Sequence, residues 1–445
     1  IVRTLENVEG MSLEALEAGI SWDFETFPEY LEVLGRLPKR LNLGPLAGHT
    51  PLRHFVLGDE ATERSATPAE ARRMRQLVAE ALRAGAVGFS TSASPTHLGA
   101  EGKPVPSRLA SFEEVHEVAM ALGDVGLGVM QATAGPGLFV KELSRISQDT
   151  GRPVSWTAAL TGMAGKGGGL KMVDYSAKAP GEVWAQISCR PLVMQVTLED
   201  PFPMSPIEAF AEVLARPRQE RAALYADPAW RQRARPDMAK FWGERFTKAT
   251  LQETQVHQAL KGGPSIEELA ASRRVDPFDL FVDLALEDGL KTRYRIVLAN
   301  DDEEELAQLL ADRRAVLGLS DAGAHASQLC DANFSTHLLG TWCRERGVLS
   351  LEEAVWRLTG QPAQVFRLRG RGRIAPGFFA DLVAFDPDTV GSEELERVWD
   401  LPGGADRLVA RSRGIHHVWV NGQPVWAEGR ELEGSHPGRL LEVQP

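Results

Sequence analysis

Short apolar runs alternate with amphipathic helical segments along most of this chain, and that alternation constrains its fold more than any other feature. The runs fall at 41–49, 85–91, 128–133, 153–160, 183–192, 294–300 and from 315 onward. Between them lie helical patterns at 67–84, 111–122 and 139–150, and Thr67-Pro68-Ala69-Glu70 carries a cap, a first-position proline and a glutamate three residues after the threonine. Earlier helical pieces are read at 12–17, where Ser12 supplies the cap, and at 27–37. Strands separated by helices at this spacing form a parallel sheet, open or closed. Six or seven strands are countable, fewer than the eight of a closed (β/α)8 barrel.

The last run, Ala315-Val316-Leu317-Gly318-Leu319-Ser320-Asp321-Ala322-Gly323-Ala324-His325, reads as a buried parallel strand that delivers an aspartate at its carboxyl end. A carboxylate there expects a metal, an arginine or a proton to transfer. The alternative is that Asp321 caps the next helix. His325 lies four residues on, where a helical start would bring the two onto one side.

Composition excludes several classes of function. At 445 residues, with 43% hydrophobic and 25% charged content, this is an ordinary globular chain too long for one small core. A formal net charge of -12 argues against nucleic acid or an anionic membrane as main partner. No apolar run approaches the roughly 18 residues of a membrane span. Cys189, Cys330 and Cys343 form neither a CxxC pair nor a disulfide framework, so a cytoplasmic location is expected. The chain opens at Ile1 inside a helical pattern, without an opening strand, and is expected to lack its beginning.

Residues 162–169 are glycine-rich and read as a mobile loop. From 200 to about 292 the pattern turns irregular, with helices at 206–214 and 277–287, and reads as an insertion over the sheet's mouth. Trp230 and Trp242 within it are expected in a core. After residue 373 short strands dominate, and Asn421-Gly422 marks a hairpin turn.

The Ser320-Asp321 strand end, followed by Gly372-Arg373-Ile374-Ala375-Pro376-Gly377 and Ala380-Asp381-Leu382-Val383, resembles the amidohydrolase superfamily. Gly48-His49-Thr50-Pro51-Leu52-Arg53, Gly85-Ala86-Val87-Gly88-Phe89-Ser90-Thr91 and Gly318–Asp321 narrow the resemblance to the D-aminoacylase (N-acyl-D-amino-acid deacylase) branch. The resemblance implies an α/β fold, a TIM-like barrel truncated at its N-terminus. It would span residues 1–372, with the insertion at about 200–292, and residues 373–445 would form half of a β-sandwich. It also implies hydrolysis of a non-peptide amide assisted by zinc, as one or two divalent ions, with Asp321 both metal ligand and general base. The substrate would be a small N-acyl amino acid, and a homo-oligomer is one expected assembly.

The branch's His-x-His pair and bridging cysteine have no counterpart in this sequence, and the runs at 129–133 and 154–158 hold no histidine. A chain with Asp321 as its sole implied ligand is expected to retain zinc poorly. The second reading is therefore a barrel that has lost its metal site and serves as a non-catalytic binding or assembly subunit. Arg190, at a strand end, is a candidate to grip a substrate carboxylate, or else to pair with a loop. His325, His49 and Arg53 are candidate substrate-binding residues, with a structural hydrogen-bonding role the alternative for His49. His97 is a further candidate, Asp331 is expected to orient a loop, and His416 and His417 are expected to be structural.

Overall fold

The computed structural model describes residues 2–11, 13–99 and 102–445. Five strands follow one another with helices between them: β1 (Leu46–Gly48), β2 (Gly88–Ser92), β3 (Val129–Thr133), β4 (Val154–Thr157) and β5 (Val183–Ile187). An excursion then contributes β6 (Leu192–Val196), β7 (Thr250–Glu253) and β8 (Arg293–Ala299), after which β9 (Ala315–Leu317) returns. The order β1-β2-β3-β4-β5-β9 makes one six-stranded sheet, parallel throughout, whose outer strands are β1 and β9.

Each strand has two unlike faces, because successive side chains point to opposite sides. Phe89, Met130, Ala132, Val154, Trp156, Ala185, Ile187, Ala315 and Leu317 are buried in the main core with residues of the flanking helices. The intervening positions on β2 to β5 include Ser90, Gln131, Ser155 and Gln186, which line the opposite, concave face. The helices end where the sequence expects. Helix Pro68–Ala84 opens with a complete capping box at Thr67 and Glu70 and closes on Gly85 at φ 117°, a left-handed turn that glycine adopts without steric cost. Phe112–Val125 is capped by Ser111. The expected Ser12 cap lies outside the described residues, and the helix there is Leu13–Gly19.

Three expectations need correction. The run 183–192 is two strands, broken at Ser188–Pro191, and β6 leaves the parallel sheet. The run 294–300 belongs with it: β6, β8 and β7 form an antiparallel sheet of their own. Tyr294 and Ile296 are buried while Arg295 is exposed, the alternation of a sheet covered on one side only. The glycine-rich stretch ends in a helix, Gly168–Lys178. Its start is capped from far away, as Gly167 and Leu170 donate backbone N–H bonds of 3.0 and 3.2 Å to the buried Glu305 carboxylate.

The excursion holds a second hydrophobic core, in which Trp230 and Trp242 are buried as expected. The tail forms β10 (Leu382–Phe385), β11 (Gly391–Val398), β12 (Arg407–Arg413), β13 (Ile415–Val420), β14 (Gln423–Ala427) and β15 (Arg430–Glu431). β10-β13-β14-β15 is one sheet and β11-β12 a separate ribbon. Asn421 and Gly422 turn β13 into β14 with φ of 50° and 82°, the geometry read from their pairing in sequence. Among the described residues no helix is long and apolar enough to cross a membrane.

The outer strand β9 is secured by a buried cation. The Arg357 side chain, 1% exposed, donates to Ala315 O at 2.7 Å and Leu310 O at 2.6 Å, and Gln361 adds a 2.8 Å bond to Ala315 O. Burial pulls this guanidinium down to about 10. Replacing it leaves Leu310 O without this donor and Ala315 O with Gln361 alone, and an unsatisfied buried carbonyl costs about 1–3 kcal/mol. Arg357→Met should therefore cost roughly 1–3 kcal/mol in urea unfolding; a loss below about 0.5 kcal/mol would contradict this role for the side chain.

Candidate active site at the carboxyl ends of the strands

The loop after β9 concentrates left-handed backbone in non-glycine residues. Leu319, Asp321 and His325 all have positive φ, at 66°, 48° and 48°, a region that L-residues enter only when surroundings impose it. Asp321 is exposed, four residues past the end of β9, in a turn closed by an Ala324 N–H bond of 3.1 Å to its carbonyl. It begins no helix, so the capping alternative does not describe it. The turn is held from the tail and the excursion. Leu408 N–H donates to Ala326 O at 2.7 Å, and Arg397 Nη1 to Ser327 O at 2.9 Å. Arg397 itself is fixed by Glu253 at 2.8 Å, Gln195 at 2.6 Å and Asp406.

His325 and His97 sit close enough to Asp321 to feel its charge. Burial holds both imidazoles below their ordinary value, and the Asp321 charge only partly opposes it. His97 lies in the loop after β2, with Nδ1 2.7 Å from Ser92 Oγ. The structure thus brings together Asp321, His325 and His97, although the loop carries no helix to align the first two.

Arg190 follows β5 and is engaged by the same loop. Its Nε donates to Asp331 Oδ1 at 2.8 Å and its Nη1 to Asn333 Oδ1 at 2.6 Å. The backbone of Arg190 is pinned by Asn300, whose Nδ2 donates to Ser188 O and Arg190 O at 3.0 and 2.7 Å. Burial pushes the Asp331 carboxyl up to about 6, against the opposing Arg190 charge and reinforced by Asp321. Asp331 is therefore a proton-exchanging group near neutrality as well as a loop anchor.

His49 and Arg53 lie elsewhere, and the expected contact with substrate is corrected by their burial at 1% and 0% exposure. His49 Nδ1 is 2.8 Å from Thr91 Oγ1 and its Nε2 3.2 Å from Glu114 Oε1. Arg53 donates to Glu114, to Arg64 O and, at 3.3 Å, to Ala61 O. Thr91 and Phe89 share the helix-facing side of β2, and the His49 ring packs edge-on to Phe89. The bonds of His49 are those of the structural alternative weighed for it.

On the concave face three side chains bond to one another. Ser155 Oγ donates to Gln131 Oε1 at 2.6 Å and Gln186 Nε2 to the same oxygen at 2.6 Å. They stand on adjacent strands β3, β4 and β5, and sequence reasoning passed over them because only the absence of histidine was noted there. The available signal was polar residues recurring at alternate positions in otherwise apolar runs. This network also tests whether the described residues suit a metal. Neutral amides are poor metal ligands, and Cys189, in the core on the helix-facing side, has its thiol pushed up to about 12 by burial. Among the described residues no three His, Cys, Asp or Glu side chains lie together as a metal site. They do not make up a metal centre by themselves.

A parallel α/β sheet with an aspartate on a strained turn past its last strand is the arrangement in which α/β enzymes place their chemistry. The Amidohydrolase family matches residues 8–426, and the chain belongs to that family. D-aminoacylase of Alcaligenes xylosoxydans xylosoxydans is 28% identical over 435 residues, covering 96% of this chain and 76% of the relative. N-acyl-D-aspartate deacylase of the same organism is 27% identical over 430 residues, covering 94% and 72%. A solved D-aminoacylase structure, described for its binuclear metal center, superposes with a TM-score of 0.61 at 26% identity. It covers 97% of this chain and 78% of that one.

The pH response of Asp331 follows from its raised value. A carboxyl that holds its proton more tightly when folded stabilises the fold at low pH and loses that advantage as pH rises towards about 6. The unfolding free energy of Asp331→Asn minus that of wild type should therefore climb between about pH 4 and 6 and level off above it; a difference independent of pH would refute the assignment. Glu114 behaves oppositely. Burial alone would raise it, but the bonds from His49 and Arg53 hold it below the ordinary carboxylate range. Its contribution is present at neutral pH and is lost on acidification through that lowered value. Glu114→Ala should destabilise by about 3–5 kcal/mol by stranding the buried Arg53, with KM unchanged in steady-state assays.

Proposed function

We propose that this protein hydrolyses the amide C–N bond of N-acyl amino acids, in the manner of the N-acyl-D-amino-acid deacylases, with Asp321 as general base. The observation that carries the reading is Asp321 itself, an exposed carboxylate held on a strained turn beside His325 and His97. Membership of the amidohydrolase family supports a hydrolase over a non-catalytic subunit. In this reading residues 1–372 carry the catalytic part and residues 373–445 the β-rich appendage.

Asp321 takes a proton from water as its oxygen bonds to the acyl carbon, and returns that proton to the departing amine nitrogen as the C–N bond breaks. His325 and His97, kept neutral by burial, serve as hydrogen-bonding groups around the reacting atoms. Arg190, anchored by Asp331 and Asn333, is the guanidinium assigned to a substrate carboxylate in this reading. The divalent ion of this reading is zinc, to which Asp321 would contribute one donor. Three cysteines free of disulfides suit a reducing, cytoplasmic setting.

The test is steady-state hydrolysis of N-acetyl-D-amino acids with zinc in excess, wild type against Asp321→Asn. Loss of a general base should lower kcat by about 10²–10⁴-fold with little change in KM. A loss below about tenfold would remove Asp321 from the role.

A further inference from the structure

Two glutamine side chains on the concave face are locked to each other in a way that leaves one donor and one acceptor facing out. Gln131 Oε1 is occupied twice, by Ser155 Oγ at 2.6 Å and Gln186 Nε2 at 2.6 Å. Gln186 Nε2 also approaches Ser155 Oγ at 3.4 Å. Gln131 Nε2 and Gln186 Oε1 then have no partner among the described residues, and neither is sealed in the core. Turning both amides over exchanges the two roles but again leaves one N–H donor and one carbonyl acceptor.

Gln131 is half-buried and Gln186 8% exposed, so the pair is only partly accessible. Gly318 faces Gln186, and a Cβ added there would sit 3.6 Å from Gln186 Oε1. Gly318 is three residues before Asp321, so the open pair lies beside the turn that carries the proposed base. Barrel interiors are ordinarily filled by branched apolar side chains. Here β3, β4 and β5 each contribute a polar one, and their mutual bonds fix the orientation of the two amides in advance.

We infer that Gln131, Ser155 and Gln186 form a substrate-amide recognition site, in which the secondary amide of an N-acyl amino acid places its carbonyl on the free glutamine donor and its N–H on the free glutamine acceptor. This inference rests on the hydrolase reading for its choice of ligand. Gln131 and Gln186 are specificity-determining residues, and Ser155 is the positioning residue that holds Gln131. A site built to accept an N–H rejects an analogue that lacks it, because a buried acceptor is then left facing an oxygen.

The experiment measures binding of N-acetylglycine and of acetoxyacetate, its ester analogue with oxygen in place of N–H. Calorimetry is done on Asp321→Asn, which slows turnover, and on the same protein carrying Gln186→Met. The amide should bind the parent at least about tenfold more tightly than the ester, and the preference should shrink below about threefold with Gln186→Met at an unchanged melting temperature. Should Gln186→Met fail to fold, Gly318→Ala, whose methyl meets only ordinary contacts, is expected to reduce the same preference. Amide and ester bound equally by the parent, or neither bound, would overturn the inference. Hydrolysis by wild type is scored separately. Turnover without amide preference rejects this site and spares the hydrolase reading, whereas amide preference without turnover does the reverse.

Discussion

The parallel sheet depends on strands β2 to β5 presenting an apolar face to the helices and polar side chains on the opposite face. Phe89, Met130, Trp156 and Ile187, each at most 1% exposed, fill the space beneath the helices. Burial of such side chains contributes about 1.5–3 kcal/mol apiece. Their neighbours Ser90, Gln131, Ser155 and Gln186 are thereby forced to the other side. A slip of one residue would exchange the faces, so core packing and the position of the polar site are set by one register.

The loops beyond the strand ends have no such internal guide and are held from a distance. Arg397, on the tail ribbon, ties the Asp321 loop to the excursion through Ser327, Glu253 and Gln195. Asn300, at the end of the excursion, pins the backbone of Arg190. Three segments far apart in sequence therefore converge on a single turn. The strained φ values of Leu319, Asp321 and His325 persist because those outside contacts over-determine the backbone.

Two buried carboxylates show how partners decide charge. Glu114 receives His49, Arg53 and the Ala66 N–H, and their sum overcomes burial and holds it ionised. Asp331 has Arg190 and a neighbouring negative charge at Asp321, and burial wins. The same residue class beside the same cation thus stabilises the core in one place and holds an exchangeable proton in the other.

The sequence by itself determined the local elements. Capping boxes, Gly85 after its helix, the Asn421-Gly422 turn and the six parallel strands were legible because each depends on neighbours within a few residues or on a repeating period. Its family motifs were legible for the same reason, as short runs at strand ends. What required the tertiary structure was every decision made between distant residues. Glu305 starts the helix at Gly168, β8 pairs with β6 and β7 instead of the parallel sheet, and His49 turns towards Glu114 and away from the mouth. The bonding of Gln131, Ser155 and Gln186 belongs to the same group, since their positions in sequence lie 24 and 31 residues apart. Periodicity tells which side of a strand a residue occupies, but not what faces it there; that is fixed only when other strands, loops and buried charges arrive to complete its hydrogen bonds.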